Sequence, residues 1–140
     1  MDNFKRDLAK GKLVEAKHLS IIQKTYPDAH IIDGYCKEWD IYIPSVGFGI
    51  EVKSDKMSQK TGNIVVEIEM GGKPSALSTT KAKYWIFDTG LKSITVKTDD
   101  LKFLVYQFKT RFWRAPGDRD KKEGYLIKQK FIEDMHTNIV

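Results

Sequence analysis

Two short apolar runs separated by a turn, in the stretch WDIYIPSVGFGIEVK from Trp39 to Lys53, constrain the fold most strongly. The residues that break the runs are Pro44, Gly47 and Gly49. This punctuation is typical of two strands joined by a turn. Because side chains alternate along a strand, Glu51 and Lys53 share one face, and the neighbouring strand can bring the Asp40 carboxylate beside them. Carboxylates grouped in this way suit Mg²⁺, which prefers oxygen ligands.

The spacing of these three side chains resembles a known catalytic signature. Asp40, ten intervening residues and then Glu51-x-Lys53, in two adjacent strands, are similar to the signature of the PD-(D/E)XK nuclease superfamily. The proline of that signature is absent, since Trp39 stands in its place. The resemblance implies that Asp40, Glu51 and the backbone carbonyl of Val52 hold Mg²⁺, for which Mn²⁺ can substitute. It also implies that Lys53 orients the attacking water or stabilises the pentavalent phosphate.

A glutamate lies on the apolar face of the first predicted helix, which runs from Asp2 to about Tyr26 and ends before a proline. The apolar stripe around it consists of Leu8, Leu19 and Ile22. A buried carboxylate must be paired or bind a metal, so Glu15 is predicted to be a further catalytic and metal-binding residue. Its position is similar to that of the helix glutamate in many PD-(D/E)XK nucleases, including archaeal Holliday junction resolvases. The alternative is a boundary glutamate paired with Lys12 or Lys17. His18 is interpreted as a surface or satisfied histidine.

The rest of the chain predicts a single α/β domain over residues 1–140. Strands are predicted at Asn63–Met70, at Lys83–Asp88 as a buried strand, at Ser93–Lys97 and at Tyr125–Lys128. A helix capped by Thr98 or Asp99 carries the stripe Leu101, Leu104, Val105, Phe108 and Phe112, and a short last helix carries Phe131, Ile132 and Met135. Loops are predicted at Ser54–Gly62 and over 71–80, with a turn at 115–117. Glu67 and Glu69 are interpreted as a polar strand face. The order of elements is similar, over roughly residues 1–110, to the restriction-endonuclease-like fold, a mixed β-sheet flanked by helices.

The net charge of +5 is concentrated in one segment. Between Lys109 and Lys130 there are eight basic and three acidic residues, while the remaining chain holds 16 of each. Phe112, Trp113 and Tyr125 accompany these charges. Lysine and arginine mixed with aromatic residues suit a nucleic-acid backbone, although a solvated basic loop has the same composition. The predicted nucleic-acid-binding residues are Arg111, Arg114, Arg119, Lys121 and Lys122 in this basic C-terminal extension (about 109–140), and Lys56, Gln59 and Lys60 after the catalytic strand.

The resemblance to PD-(D/E)XK nucleases implies a Mg²⁺-dependent deoxyribonuclease, either structure-specific for junctions or flaps or a phage endonuclease, and the basic segment agrees with a nucleic-acid substrate. No apolar run approaches the roughly 20 residues needed to span a membrane, and the N-terminal segment MDNFKRDLAK has no signal-peptide core. We therefore expect a cytoplasmic protein of a bacterial or phage-infected host cell, without a membrane partner. A single Cys36 excludes an internal disulfide and a cysteine-based zinc site.

Two other classes and several details stay open at this point. Cleavage of both strands would need two active sites, which a symmetric homodimer provides. The sequence does not decide between DNA and RNA or between endonuclease and exonuclease. One alternative is a non-catalytic DNA-binding protein that uses the basic C-terminal segment, and another is a structural or inhibitory protein of similar fold.

Overall fold

The computed structural model describes residues 3–32, 34, 38–110, 112–115 and 121–139. Within these ranges the chain forms four α-helices and nine strands arranged in two sheets. The helices are α1 (Asn3–Gln23), α2 (Ser58–Thr61), α3 (Thr98–Gln107) and α4 (Gln129–Asp134). The strands are β1 (His30–Ile31), β2 (Ile41–Ile43), β3 (Phe48–Ser54), β4 (Asn63–Met70), β5 (Lys73–Pro74), β6 (Tyr84–Asp88), β7 (Ser93–Lys97), β8 (Phe112–Ala115) and β9 (Lys122–Lys128). A 3₁₀ turn at Ala76–Ser78 follows β5. None of the described helices is long and apolar enough to cross a membrane.

The first sheet has five strands in the order β1-β2-β3-β6-β7 and is mixed, because β3 and β6 run parallel and the other pairs are antiparallel. All five residues of β6 are buried, as the predicted interior strand requires. On one face, Tyr84 and Ile86 pack with Ile22 of α1. On the other face, Trp85 and Phe87 pack with the apolar stripe of α3 and with the second sheet. The prediction of helices on both faces of a mixed sheet is therefore confirmed.

The second sheet has the order β5-β4-β9-β8. It is not expected from the sequence, which predicts a single mixed β-sheet. β4 alternates as predicted, with Ile64 and Val66 fully buried, but this apolar face packs against the first sheet instead of extending it. β9 pairs with β4 along its whole length. The ranges 112–115 and 122–128 thus contribute two strands to the second sheet, with β9 inside it and β8 at its edge.

Five local predictions need correction. The segment 71–80, predicted to be a loop, contains β5 and the 3₁₀ turn. The loop Ser54–Gly62 contains the short helix α2, and the last predicted strand begins at Lys122 instead of Tyr125. Helix α3 ends at Gln107, so Phe112 lies on β8, where it is largely exposed. The N-cap of α3 is Lys97, and the Thr98 hydroxyl donates to the carbonyl of Ala82 instead of capping the helix. Cys36, Arg111, Arg119 and the centre of the predicted turn at 115–117 lie outside the described residues.

Candidate active site

The backbone of β3 holds the Asp40 carboxylate in place. β2 pairs with β3 only as far as Ile50, and the Asp40 N–H donates to the Ile50 carbonyl at 3.0 Å. The next N–H along that edge, on Val52, donates to Asp40 Oδ2 at 2.8 Å. A side chain thus continues the hydrogen-bond ladder where the strand β2 begins. Since the N–H and C=O of one strand residue point to the same neighbouring strand, the Val52 carbonyl faces this edge too.

Glu51 and Lys53 lie on one face of β3, and Asp40, just before β2, lies on the same side of the sheet. The pairing of Ile41 with Ile50 puts Asp40 opposite Glu51, and side chains of opposed residues share a face. Lys53 Nζ lies 3.4 Å from Glu51 Oε1, with the lysine side chain 39% exposed and the glutamate side chain 12% exposed. The ammonium also lies 5.9 Å from the centre of the Trp85 ring. The structure therefore brings the three residues of the predicted signature together.

Burial gives the two carboxyl groups an unusual affinity for protons. It raises the pKa of Glu51 to about 7, where the charge of Asp40 acts in the same direction and Lys53 opposes it. Burial also raises the pKa of Asp40, against the opposing effects of the Val52 N–H and of Lys53. The two carboxyl groups are close enough to share one proton. The pair thus carries less than two full negative charges near neutral pH.

The ammonium of Lys53 stays protonated in this environment. Burial alone lowers the pKa of Lys53, but the carboxylates of Glu51, Asp40 and Glu67 outweigh it, so that its pKa is raised. Glu67 comes from β4 of the second sheet and accepts a hydrogen bond from the Ser75 hydroxyl at 2.7 Å. Sequence reasoning interprets Glu67 as an ordinary polar strand face. The alternation of β4 does put Glu67 opposite the buried residues, yet only the packing of the two sheets brings it near Lys53.

Glu15 approaches the same cluster from helix α1. It is half-buried, and burial followed by the charge of Asp40 raises its pKa, while Lys53 and Lys12 lower it. Among the described ion pairs, Lys17 contacts Asp88 and none joins Glu15 to a lysine. A boundary glutamate paired with Lys12 or Lys17 is therefore the weaker interpretation of Glu15. Its electrostatic environment is that of the Asp40 cluster.

A second polar cluster anchors α1 to the end of β6. The Asp88 carboxylate contacts Lys17 Nζ and His18 Nε2, each at 2.9 Å, and accepts a hydrogen bond from the Gly90 N–H at 2.8 Å. His18 is 3% exposed, with Ser93 Oγ a further 3.4 Å neighbour of its Nε2. His18 is thus a satisfied histidine, as the sequence analysis expects. The anchor fixes the helix turn that carries Glu15.

The predicted nucleic-acid-binding residues fall on two separate parts of the fold. Lys56 and Lys60 are exposed around α2, and the Gln59 amide donates to the Thr89 carbonyl. On the second sheet, Arg114 forms an ion pair with Glu123 at 2.7 Å. Lys121 is exposed just before β9, and Lys122 is half-buried at its start. The carboxamide of Gln59 and the guanidinium of Arg114 therefore already have protein partners.

The donor set at the β3 edge fits a hard divalent cation in its chemistry. Within the described ranges, no three His, Cys, Asp or Glu side chains converge into a ready-made metal cluster. Asp40 and Glu51 nevertheless supply two adjacent carboxylates, and the Val52 carbonyl faces the same edge. Mg²⁺ is often held by one or two carboxylates, with water and substrate oxygens completing its shell. Burial disfavours the ionised forms of these two acids, as their raised pKa values indicate. A divalent cation between them would favour the ionised forms again by compensating their negative charge.

Comparisons with protein-family models, with curated proteins and with solved structures return no significant match for this chain.

Proposed function

We propose that the chain is a metal-dependent nuclease that hydrolyses DNA phosphodiester bonds. The observation that carries this proposal is the grouping of Glu51 and Lys53 on one face of β3 with Asp40 beside them, where the Lys53 ammonium lies 3.4 Å from a Glu51 oxygen. Glu15 supports it from α1, because its pKa responds to both Asp40 and Lys53. Burying an acid pair beside a protonated lysine costs desolvation free energy, and groups with such perturbed pKa values are concentrated at functional sites.

Asp40, Glu51 and the Val52 carbonyl are the groups that would hold Mg²⁺ or Mn²⁺, and the predicted further ligand Glu15 would act on the cation from α1 through its charge. When bound, the cation supplies Lewis-acid activation of the attacking water and of the scissile phosphate. The protein's own groups do the remaining work. The Val52 N–H orients the Asp40 carboxylate as a ligand, and Glu51 supplies the second carboxylate beside it. Lys53 keeps its charge and stabilises the negative phosphate of the transition state.

The finer parts of the proposal rest on the resemblance to PD-(D/E)XK nucleases. They include DNA as the substrate, the restriction-endonuclease-like fold, a junction-specific, flap-specific or phage-type activity, and a homodimer for two-strand cutting. The cytoplasm of a bacterial or phage-infected cell is the compartment that goes with this function. A mixed first sheet flanked by helices is compatible with that fold.

The test is cleavage of a substrate panel by the full chain. The panel contains plasmid, linear duplex, single strand, flap and four-way junction, each with Mg²⁺, Mn²⁺ or EDTA. Asp40→Asn, Glu51→Gln and Lys53→Ala are each expected to lower the cleavage rate by about 10²-fold or more, the scale of losing one charge-stabilising group. Binding of uncleaved DNA should change by only a few-fold. Asp40→Asn is preferred to alanine because the amide oxygen can still accept the Val52 N–H.

Glu69→Gln is the matched control, since it makes the same substitution on β4 outside the signature. It should cleave like the parent chain. Undiminished cleavage by the Glu51→Gln variant, or cleavage by the parent chain in EDTA, would refute the mechanism. Metal-independent binding without cleavage of any substrate would favour the non-catalytic DNA-binding protein and direct attention to the basic C-terminal segment.

A further inference from the structure

We propose that a lysine-lined cleft at the start of β6 binds backbone phosphates next to the one that is cut; this inference rests on the proposed nuclease function. The cleft has a volume of about 420 Å³. Its charged lining consists of Lys81, Lys83, Lys97 and Lys102, against the single acid Asp99. Four positive charges against one negative charge favour a polyanion, and the backbone of a nucleic acid is one.

Backbone hydrogen bonds connect the cleft to the two chain segments that carry the acid pair, Asp40 and Glu51. The Lys81 N–H donates to the Glu38 carbonyl at 3.0 Å, and the Lys83 N–H donates to the Gly49 carbonyl at 2.9 Å. Glu38 and Gly49 each precede a member of the acid pair by two residues. Two strand residues span about 6.6 Å, and a duplex strand rises about 3.4 Å per nucleotide. The backbone at the edge of the cleft therefore lies roughly 6.6 Å along the strands from the acid pair, a separation that neighbouring phosphates of one DNA strand can bridge.

The floor of the cleft is fixed by internal hydrogen bonds. The Thr98 hydroxyl donates to the Ala82 carbonyl at 2.6 Å, and the Thr98 N–H donates to the Lys83 carbonyl at 2.9 Å. The Thr80 hydroxyl donates to the Glu38 carbonyl at 3.1 Å. These groups are occupied within the protein, whereas all four lysine side chains are exposed.

Such a cleft should recognise phosphate charge without reading bases. Lys83 Nζ lies 4.9 Å from the centre of the Phe48 ring and 5.6 Å from that of Tyr84, which limits where this ammonium can move. The remaining three lysines offer point charges on flexible stems. Binding through them is expected to be independent of sequence and strongly dependent on salt.

Two exposed lysines outside the cleft and outside the basic C-terminal segment provide a matched control. Lys24 directly follows the end of α1, and Lys73 lies on β5 of the second sheet. The variants K97Q/K102Q and K24Q/K73Q therefore remove two charges each, but only the first pair lines the cleft.

The experiment measures binding of a fluorescent DNA duplex to the full-length chain in EDTA by anisotropy, across a series of salt concentrations. For K97Q/K102Q the Kd should rise by about tenfold at low salt, given at most about fivefold per exposed ion pair. The slope of log Kd against log salt should fall by about 1.5, since each phosphate contact contributes roughly 0.7–0.9. The K24Q/K73Q variant should change Kd by less than about twofold. Thermal melts verify that both variants fold, and K81Q serves as a second, single-site variant.

Two outcomes overturn the inference: an unchanged Kd in K97Q/K102Q, or equal losses in both double variants, which would reflect net charge alone. The binding assay needs no cleavage, so its result is separate from that of the cleavage panel. Normal Mg²⁺-dependent cleavage with unchanged binding by K97Q/K102Q would reject the cleft and leave the nuclease proposal standing. Absence of cleavage with all metals would reject the nuclease proposal instead.

Discussion

Glu51→Gln is expected to stabilise the folded chain above neutral pH while it lowers the rate of the proposed cleavage reaction. In the folded state burial raises the pKa of Glu51 from 4.5 to about 7. The unfolded chain releases that proton from about pH 4.5, whereas the folded chain keeps it until about pH 7. Stability is therefore lost as pH rises through this window, and the full loss is present above pH 7. A neutral glutamine at this position escapes the loss.

The size of the effect follows from the difference between the two pKa values. A difference of about 2.5 pH units corresponds to an upper limit of about 3.4 kcal/mol, at 1.36 kcal/mol per unit. Glu51 shares its proton with Asp40, and its partner Lys53 is 39% exposed to solvent, so we expect about 2–3 kcal/mol. For a domain of this size, that corresponds to an increase in Tm of about 10 °C.

Urea denaturation at pH 4.5 and pH 8.5 measures this prediction. Glu51→Gln should exceed the parent chain in unfolding free energy at pH 8.5 and match it at pH 4.5. Glu69→Gln, the control, should show little difference between the two conditions. Addition of Mg²⁺ at pH 8.5 should raise the Tm of the parent chain but leave that of Glu51→Gln nearly unchanged, because a ligand of the folded state stabilises only where it binds. A variant that is less stable at both pH values would refute the assignment of Glu51 as a costly buried acid.

Two further predictions concern the scaffold. Gly124→Ala should lower the unfolding free energy by about 2–3 kcal/mol in urea, since its Cβ would lie 2.1 Å from the Val66 carbonyl oxygen on β4. Gly11→Ala is the control and should raise the unfolding free energy by about 0.5–1 kcal/mol, because the residue lies inside α1 and a Cβ there meets nothing within 4 Å. Equal tolerance of both substitutions would contradict the close packing of β4 and β9. Burial alone would raise the pKa of Asp88, but hydrogen bonds from Lys17, His18 and the Gly90 N–H lower it to about 2. The ionised Asp88 therefore contributes its full share of the unfolding free energy above about pH 4, and this share disappears as the pH falls to about 2. Asp88→Asn should therefore cost about 1–2 kcal/mol at pH 7, discounted for the exposed Lys17, and unfold with a weaker acid dependence; an unaltered acid transition would contradict this role for Asp88.

Local patterns were sufficient to predict the site residues that share one strand. Alternation along β3 places Glu51 and Lys53 on one face, and a turn with proline and glycine brings Asp40 back beside them. Glu15 could be found because it interrupts an apolar stripe. Gly49 is different: it reads as turn punctuation but lies inside β3, where its Cβ would meet the Trp39 ring at 2.4 Å. Such a tertiary contact leaves no periodic signal in the sequence.

The second sheet could not be predicted for a related reason. The pairing of β4 with β9 joins residues about 60 positions apart in the chain, and alternation alone does not specify a partner strand. Phe112 continues the helical spacing after Phe108, so the pattern extends α3 beyond its end. The antiparallel pairing of Phe112 with Tyr125 decides in favour of a strand. Glu67 remained hidden as a neighbour of Lys53 because its position depends on the packing of one sheet on the other.

The position of Glu15 links the scaffold to the proposed chemistry. Glu15 and His18 are three residues apart on α1, so they lie on neighbouring parts of one helix face. His18 is held by Asp88 at the end of β6, and β6 is the parallel neighbour of β3. The anchor therefore fixes the rotation of α1 relative to the strand that carries Glu51 and Lys53. Release of that anchor would let α1 turn, and Glu15 would lose its electrostatic coupling to Asp40 without any change in the signature itself. In the proposed nuclease we therefore expect Asp88 to be a positioning residue, whose loss lowers the cleavage rate through Glu15 as well as through stability.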